Sequence, residues 1–174
     1  ISLYGKKKYR IKYLFSLSQK KHNTQIFKEK QMTQLNFKKL KEYATTPTYG
    51  SDYAAGADLY ACIKEPVTLL PGETKFIGTG IAMEIPIGYA GFIYARSGLS
   101  CKMGVAPANK VGVVDSDYRG EITVALYNHS PQTRTIEPQE RIAQIVVAPF
   151  LKVNFNEVDE LSDTVRGADG FGST

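Results

Sequence analysis

The chain has 174 residues, 43% of them hydrophobic, which is enough for one domain with a packed core and too much for bulk disorder. Its net charge of +5 is unevenly spread: residues 1–42 hold 12 of the 22 Lys and Arg against two acids, a charge of +10, while residues 43–174 hold 10 basic and 15 acidic residues, a charge of −5. The overall basicity is therefore no case for nucleic-acid binding by the folded domain. Two cysteines are too few for a disulfide framework and point to a reducing, cytoplasmic setting, and no apolar run reaches the roughly 18 residues of a membrane span.

The first segment is a basic extension, residues 1–42, with runs such as Lys6-Lys7-Lys8 and Lys20-Lys21. All eight prolines and 14 of the 15 glycines follow it, which sets a boundary near Glu42–Thr48. The chain opens on Ile1, and Met32 begins a stretch suited to a natural N-terminus, so residues 1–31 are expected to lie upstream of the native protein. A transit peptide, which would direct the protein to an organelle, is the second reading, because such peptides are basic and poor in acids. A nucleic-acid-binding arm is the third.

From Tyr43 to about Val165 the pattern predicts an all-β domain. Short apolar stretches alternate with turn signals at Pro71-Gly72, Ile87-Gly88 and Asn128-His129-Ser130-Pro131. The run Glu121 to Tyr127 puts Ile122, Val124 and Leu126 on one face of a strand. Arg141 to Ala148 is β-branched and mostly apolar, as a strand buried on both faces would be. Many short strands with Gly/Pro turns imply a sandwich or barrel. One helical turn is expected after Arg96-Ser97-Gly98-Leu99, and residues 166–174 are too poor in apolar side chains to form a strand.

Five segments carry candidate chemistry. Asp58, in Ala55 to Tyr60, sits between a glycine and a strand; a turn aspartate bonded to backbone is the plain alternative. Arg96, Ser97 and Gly98 combine a guanidinium, a hydroxyl and free backbone N–H groups, which suits an anion, although Ser97 could equally cap a helix. Asn109 to Gly120 is the most informative stretch. Asn109 could pair with a base edge, Gly112 permits close backbone approach, Asp115 could activate water as a general base, and Tyr118 could pack on a sugar; an Asp-rich β-turn at Asp115–Gly120 is the competing reading. Gln144 interrupts the apolar strand and needs hydrogen-bond partners. Arg166, Phe171, Gly172, Ser173 and Thr174 suit a loop that wraps phosphates and stacks an aromatic ring on a flat ligand, against the reading of an ordinary tail.

The two histidines, His22 and His129, make no credible nucleophilic triad with a Ser or Cys. Cys62 and Cys101 lack metal-ligand spacing, and there is neither a GxxxxGK[ST] loop nor a GxGxxG after a strand. The residues by themselves imply a β domain with phosphate-binding loops, a candidate base and aromatic surfaces.

Taken in order over residues 43–174, the five segments resemble the five motifs of the trimeric dUTP pyrophosphatase family. The resemblance implies a jelly-roll-like β-barrel and a homotrimer whose active sites are shared between chains. It implies hydrolysis of dUTP to dUMP and pyrophosphate, by water attack on the α-phosphorus with Mg²⁺ as cofactor. In that scheme Asp115 deprotonates the water, Asn109 reads uracil and Tyr118 lies under the deoxyribose. Arg96, Ser97, Gly98 and Gln144 meet the phosphates, Asp58 meets the metal through water, and Arg166 with Phe171 to Thr174 forms a C-terminal arm that closes over the nucleotide. Asp169 departs from the family pattern, which has glycine there, and Ala95 stands where Pro or Gly is common. Two rivals are a dCTP deaminase of the same fold, which needs a glutamate near the base, and a non-catalytic nucleotide-binding protein, which would be expected to lack Asp115 or the arm.

Overall fold

A computed structural model describes residues 34–170 and 172. The basic segment 1–33 lies outside them, with both functional readings of it. Twelve strands and one short helical turn form the described chain. In order they are β1 (Asn36–Lys39), β2 (Thr48–Tyr49), β3 (Ala57–Tyr60), β4 (Val67–Leu69), β5 (Thr74–Gly78), β6 (Ile81–Glu84) and β7 (Tyr89–Tyr94), then a π-helical turn at Gly98–Lys102. There follow β8 (Val105–Pro107), β9 (Gly112–Val114), β10 (Thr123–Asn128), β11 (Arg134–Ile136) and β12 (Arg141–Pro149).

All pairings are antiparallel. The main sheet has the order β2-β3-β12-β7-β9, and a second runs β5-β10-β8; β1-β6 and β4-β11 complete the set as pairs. Consecutive strands are thus dealt out between sheets, as in a jelly roll, and the fold is a jelly-roll-like β-barrel. The sheets close on Leu59, Leu69, Ile77, Ile81, Ile85, Leu126, Ile136 and Ile142, all essentially without exposure. β10 alternates as its sequence demands: Ile122, Val124 and Leu126 are buried, and the residues between them are not. Gly72 and Gly88 take positive φ at the two turns whose signals precede them.

Asn128 is fully buried at the end of β10. Its Nδ2 donates to the carbonyls of Leu69 (3.0 Å) and Gln132 (2.7 Å), and its Oδ1 accepts from the Ser130 N–H (3.0 Å) and hydroxyl (2.8 Å). One side chain therefore satisfies the turn that links β10 to β11 and ties it to β4, which is why a polar group survives in this core.

Three expectations change. Strand β1, Asn36–Lys39, pairs with β6 although it lies inside the segment that composition assigns to the extension. Its four residues are all exposed, so backbone pairing and one exposed hydrogen bond, from Asn36 Nδ2 to Glu84 Oε2 at 2.9 Å, hold it, and side-chain pattern gives no sign of it. At the other end the last strand stops at Pro149, short of residue 165, and 151–169 is exposed chain without a strand. Finally, β12 is buried on both faces only in its first half. Ile142, Ala143 and Ile145 are buried, Val146 and Ala148 are half-buried, and Val147 is exposed.

Candidate active site

The register of the main sheet aligns Asp58 with Gln144 across β3 and β12, and Gln144 with Tyr94 across β7. Just beyond Tyr94 the chain turns through Ala95, Arg96 and Ser97 into the π-helical turn. Three distant segments thereby meet at one end of the sheet, around a cleft of about 200 Å³ lined by Asp58, Arg96, Ser97, Gly98, Arg141 and Gln144.

Asp58 is the hub, only 7% exposed. Its Oδ1 accepts from Arg96 Nε at 2.6 Å and its Oδ2 from Arg141 Nη1 at 3.3 Å. Arg96 also reaches the Arg141 carbonyl through Nη1 at 3.5 Å. The carboxylate is thus a buried counter-charge for two arginines, which is not the turn aspartate of the plain alternative. Two guanidiniums against one carboxylate leave the cleft at +1, so it attracts an anion. Ser97 precedes the helical turn, but its side chain makes no capping bond, so the capping alternative is not realised. Gln144 is half-buried, and its Nε2 donates to the Ala95 carbonyl at 2.9 Å. Its Oε1 packs on Gly56, where a Cβ would stand 2.7 Å away.

The second group lies at the opposite edge of the same sheet. From β3 to β9 is three strand spacings, about 14 Å. Asn109 is in the loop before β9, and its Nδ2 lies 3.3 Å from where a Cβ on Gly112 would be, so Gly112 gives the amide its room. Asp115 follows β9 and is exposed; its carbonyl accepts from the Tyr118 N–H at 3.2 Å, so the β-turn is real and holds both residues at the edge. Tyr118 is 46% exposed. Its hydroxyl donates to the Glu121 carbonyl at 3.0 Å and rests on Gly120, where there is no room for a Cβ. Arg96 follows β7, the neighbour of β9, but Val114 pairs with Gly91, so Asp115 leaves β9 roughly 17 Å along the strands from Arg96, and a single chain does not bring Asp115 and Tyr118 to the cleft of Asp58, Arg96 and Gln144.

In the third group, Arg166 Nε donates to the Asp169 carbonyl at 2.8 Å, and the Asp169 N–H returns a bond to the Arg166 carbonyl at 3.3 Å. The arm's start is thus a closed turn with the Asp169 side chain exposed. Gly172 has a φ of 88°. Phe171, Ser173 and Thr174 lie outside the described residues. Arg141 was not singled out by the sequence, and the signal that would have found it is an arginine opening an otherwise apolar strand.

No group of three or more His, Cys, Asp or Glu that could hold a metal exists among the described residues. Nor, among them, is any helix long and apolar enough to cross a membrane.

Fold and site together define a β-barrel protein with an acid–arginine anion cleft at one end of its main sheet and an Asn–Asp–Tyr edge at the other. The dUTPase family model matches residues 42–174, so the chain belongs to the dUTPase family. It is 52% identical over 140 residues to a deoxyuridine 5'-triphosphate nucleotidohydrolase of Nautilia profundicola, covering 80% of this chain and 97% of that one. A protein of the same name from Aromatoleum aromaticum is 50% identical over 129 residues, covering 74% and 87%. Among solved structures, the Staphylococcus bacteriophage 80α dUTPase with dUPNHPP superposes with a TM-score of 0.74 at 29% identity, covering 82% of this chain and 99% of that one. A mutant dUTPase from S. aureus phage phi11, described as coordinating a structural Mg(II) ion, gives 0.66 at 25% identity, covering 74% and 98%.

Proposed function

We propose that the protein is a dUTP diphosphatase that hydrolyses dUTP to dUMP and pyrophosphate at sites shared between chains. It would thereby limit uracil incorporation into DNA and supply dUMP for thymidylate synthesis. The observation that carries the shared site is the separation of the two residue groups. Asp58 on β3 lies three strand spacings from β9, and Asp115 leaves β9 beside Gly91, roughly 17 Å along β7 from Arg96, so a reaction that uses Asp115 with the cleft needs an edge from a neighbouring copy. The outer face between them supports this. Val113, Phe92 and Val146 sit side by side across β9, β7 and β12, and Val113 is 60% exposed. A second chain over that face would bury an apolar strip continuous with the cleft. A homotrimer is the assembly proposed.

The chemistry follows from the residue types. Phosphoryl substitution needs charge neutralisation and alignment more than covalent help. Arg96, Ser97, Gly98 and Gln144 hold the phosphate chain. Asp115, exposed and free of an ion-pair partner among the described residues, takes the proton of the attacking water. Asn109 reads the uracil edge, and Tyr118 packs under the deoxyribose. Arg166 with Phe171, Gly172, Ser173 and Thr174 closes over the bound nucleotide.

The donors present fit Mg²⁺ only as an ion carried on the substrate phosphates. The cleft is net positive, and both Asp58 oxygens already accept from arginines, so a bare cation is repelled, whereas Asp58 can still meet a metal's water shell. Such an ion would supply charge neutralisation on the phosphates. The excess of positive charge lies in the segment before the domain, so no stable nucleic-acid complex is proposed; the cytoplasm is the proposed location, and no membrane partner is proposed.

Mixing two inactive variants tests the shared site. Asp115→Asn and Arg96→Ala are each expected to lose turnover. Refolded together, they regain a fraction of it, because some mixed sites take Asp115 from one chain and Arg96 from another. Two separately inactive variants that stay inactive when mixed, with mixed oligomers confirmed by mass, would place the whole site in one chain and overturn the reading.

A further inference from the structure

Glu121 joins the Tyr118 turn to a part of the fold that the anion cleft does not use. It follows Gly120 and leads into β10, and its side chain is only 27% exposed. Its Oε1 accepts from the Gly80 N–H at 2.7 Å and from Lys41 Nζ at 3.3 Å. The carboxylate lies over Gly78, where there is no room for a Cβ. Lys41 is delivered by β1: the register sets Lys39 opposite Ile81, and the Leu40 N–H then donates to the Gly80 carbonyl at 2.8 Å. The turn between β5 and β6 is itself tied to the residue after Glu121. The Thr79 hydroxyl donates to the Ile122 carbonyl at 2.7 Å, and the Ile122 N–H to the Ile81 carbonyl at 2.8 Å. A charged acceptor is thus clamped between a main-chain N–H and a lysine.

What the clamp holds in place is the Glu121 carbonyl, which accepts the Tyr118 hydroxyl at 3.0 Å. The far end of the Tyr118 ring therefore rests on the Glu121 main chain and on Gly120. The turn that carries the ring is closed by other groups. Arg119 Nη1 donates to the Ser116 carbonyl at 2.7 Å and to the Tyr118 carbonyl at 3.0 Å, and the Tyr118 N–H bonds to the Asp115 carbonyl. Asp115 and the tip of the ring are thus positioned separately. A ring packed against a deoxyribose rejects a ribose only if it cannot retreat from the added 2′-hydroxyl. From these contacts we infer that Glu121, fixed by Lys41 and Gly80, is a positioning residue for sugar specificity: it holds the Tyr118 ring against the sugar, so that dUTP is taken and UTP refused. This rests on Tyr118 packing under the deoxyribose in the proposed reaction. Glu121 acts through Tyr118 and not by touching the nucleotide.

The test measures kcat/KM for dUTP and for UTP in the intact oligomer of wild type, Glu121→Ala, Glu121→Gln, Lys41→Met and Tyr118→Phe. A packed apolar pocket rejects an added hydroxyl roughly a hundredfold, and Glu121→Ala is expected to lower the dUTP-to-UTP ratio by about tenfold of that. The kcat for dUTP should stay within about threefold of wild type, because Arg119 still closes the turn that carries Asp115. Lys41→Met removes a part-exposed ion pair and should lower the ratio by about threefold. Glu121→Gln keeps an acceptor for the Gly80 N–H and should recover most of the loss. Tyr118→Phe breaks the link itself, so adding Glu121→Ala to it should lower the ratio no further. A merely structural role lowers both rates together and leaves their ratio alone. A ratio unchanged in Glu121→Ala and Lys41→Met, in an enzyme that does hydrolyse dUTP, therefore overturns the inference; should Glu121→Ala fail to fold, the Lys41→Met ratio decides it. A further fall in the ratio when Glu121→Ala is added to Tyr118→Phe also overturns it. Wild-type protein that releases no pyrophosphate from dUTP would instead defeat the proposed function itself, and the inference with it.

Discussion

Replacing Asp58 with Asn removes one negative charge from the cleft and nearly nothing else. The side chain keeps its shape and one acceptor oxygen, but two guanidiniums lose their shared counter-charge. At an effective dielectric of about 20, a unit charge pair about 4 Å apart is worth about 4 kcal/mol. Two discounts apply. The Arg141 side chain is half-exposed and therefore screened. Asn also retains a neutral hydrogen bond to Arg96, about half as strong as the charged one. The balance is a loss of about 2 kcal/mol in stability, below the roughly 3–5 kcal/mol for breaking a fully buried pair. The cleft charge rises from +1 to +2 at the same time, so pyrophosphate should bind more tightly while turnover falls, because Arg96 loses the bond that aims it. Urea unfolding at one fixed protein concentration checks the first part, with a lower midpoint and an unchanged slope expected. Product inhibition by pyrophosphate checks the second. Unchanged stability together with weaker pyrophosphate binding would refute the reading of Asp58 as a buried counter-charge.

The remaining predictions concern the scaffold. Asn128→Ala strands the buried Leu69 carbonyl and the Ser130 N–H, while the Gln132 carbonyl keeps its bond from the Ser130 hydroxyl, and should cost about 1–3 kcal/mol; a loss under about 0.5 kcal/mol in urea unfolding, the scale of an ordinary surface substitution, would show that the turn does not depend on it. Burial pushes the Cys62 thiol above its usual value of 9.0, Glu121 adds to the rise, and Lys41 opposes it. A raised folded value means a contribution that is complete below the unfolded value and is lost as pH climbs above it, so stability should fall above about pH 9, and less steeply in Cys62→Ala. In native protein near pH 8, iodoacetamide should label exposed Cys101 well before buried Cys62; equal rates for the two thiols would contradict the burial.

What the sequence discloses depends on whether side-chain pattern or backbone register does the positioning. β10 is legible because Ile122, Val124 and Leu126 alternate against a single core face. The turns are legible because Gly72 and Gly88 occupy positive φ. β1 is not, because Asn36 to Lys39 buries no side chain and is held by main-chain pairing to β6. Among the site residues, Asp58, Arg96 and Gln144 are visible as polar interruptions of apolar segments, but their meeting is a product of strand register that no local pattern encodes. Arg141 shows the limit most clearly. Strict alternation sends it to the wrong face, and only the bulge at Ile142 returns it to the cleft. The separation of Asp115 from Arg96 is likewise a fact of antiparallel register, which sends them off opposite ends of neighbouring strands, and the five-motif resemblance anticipated it only by implying several chains.

The central claim is dUTP hydrolysis with Asp115 as base. The most direct measurement is pyrophosphate release from dUTP, dTTP, dCTP and UTP side by side with Mg²⁺, with ammonia assayed for dCTP, on wild type and Asp115→Asn. The account predicts rapid release from dUTP alone, no ammonia, and loss of turnover in Asp115→Asn with dUTP binding retained. Comparable release from dTTP or UTP, ammonia from dCTP, or near-normal turnover in Asp115→Asn would contradict it.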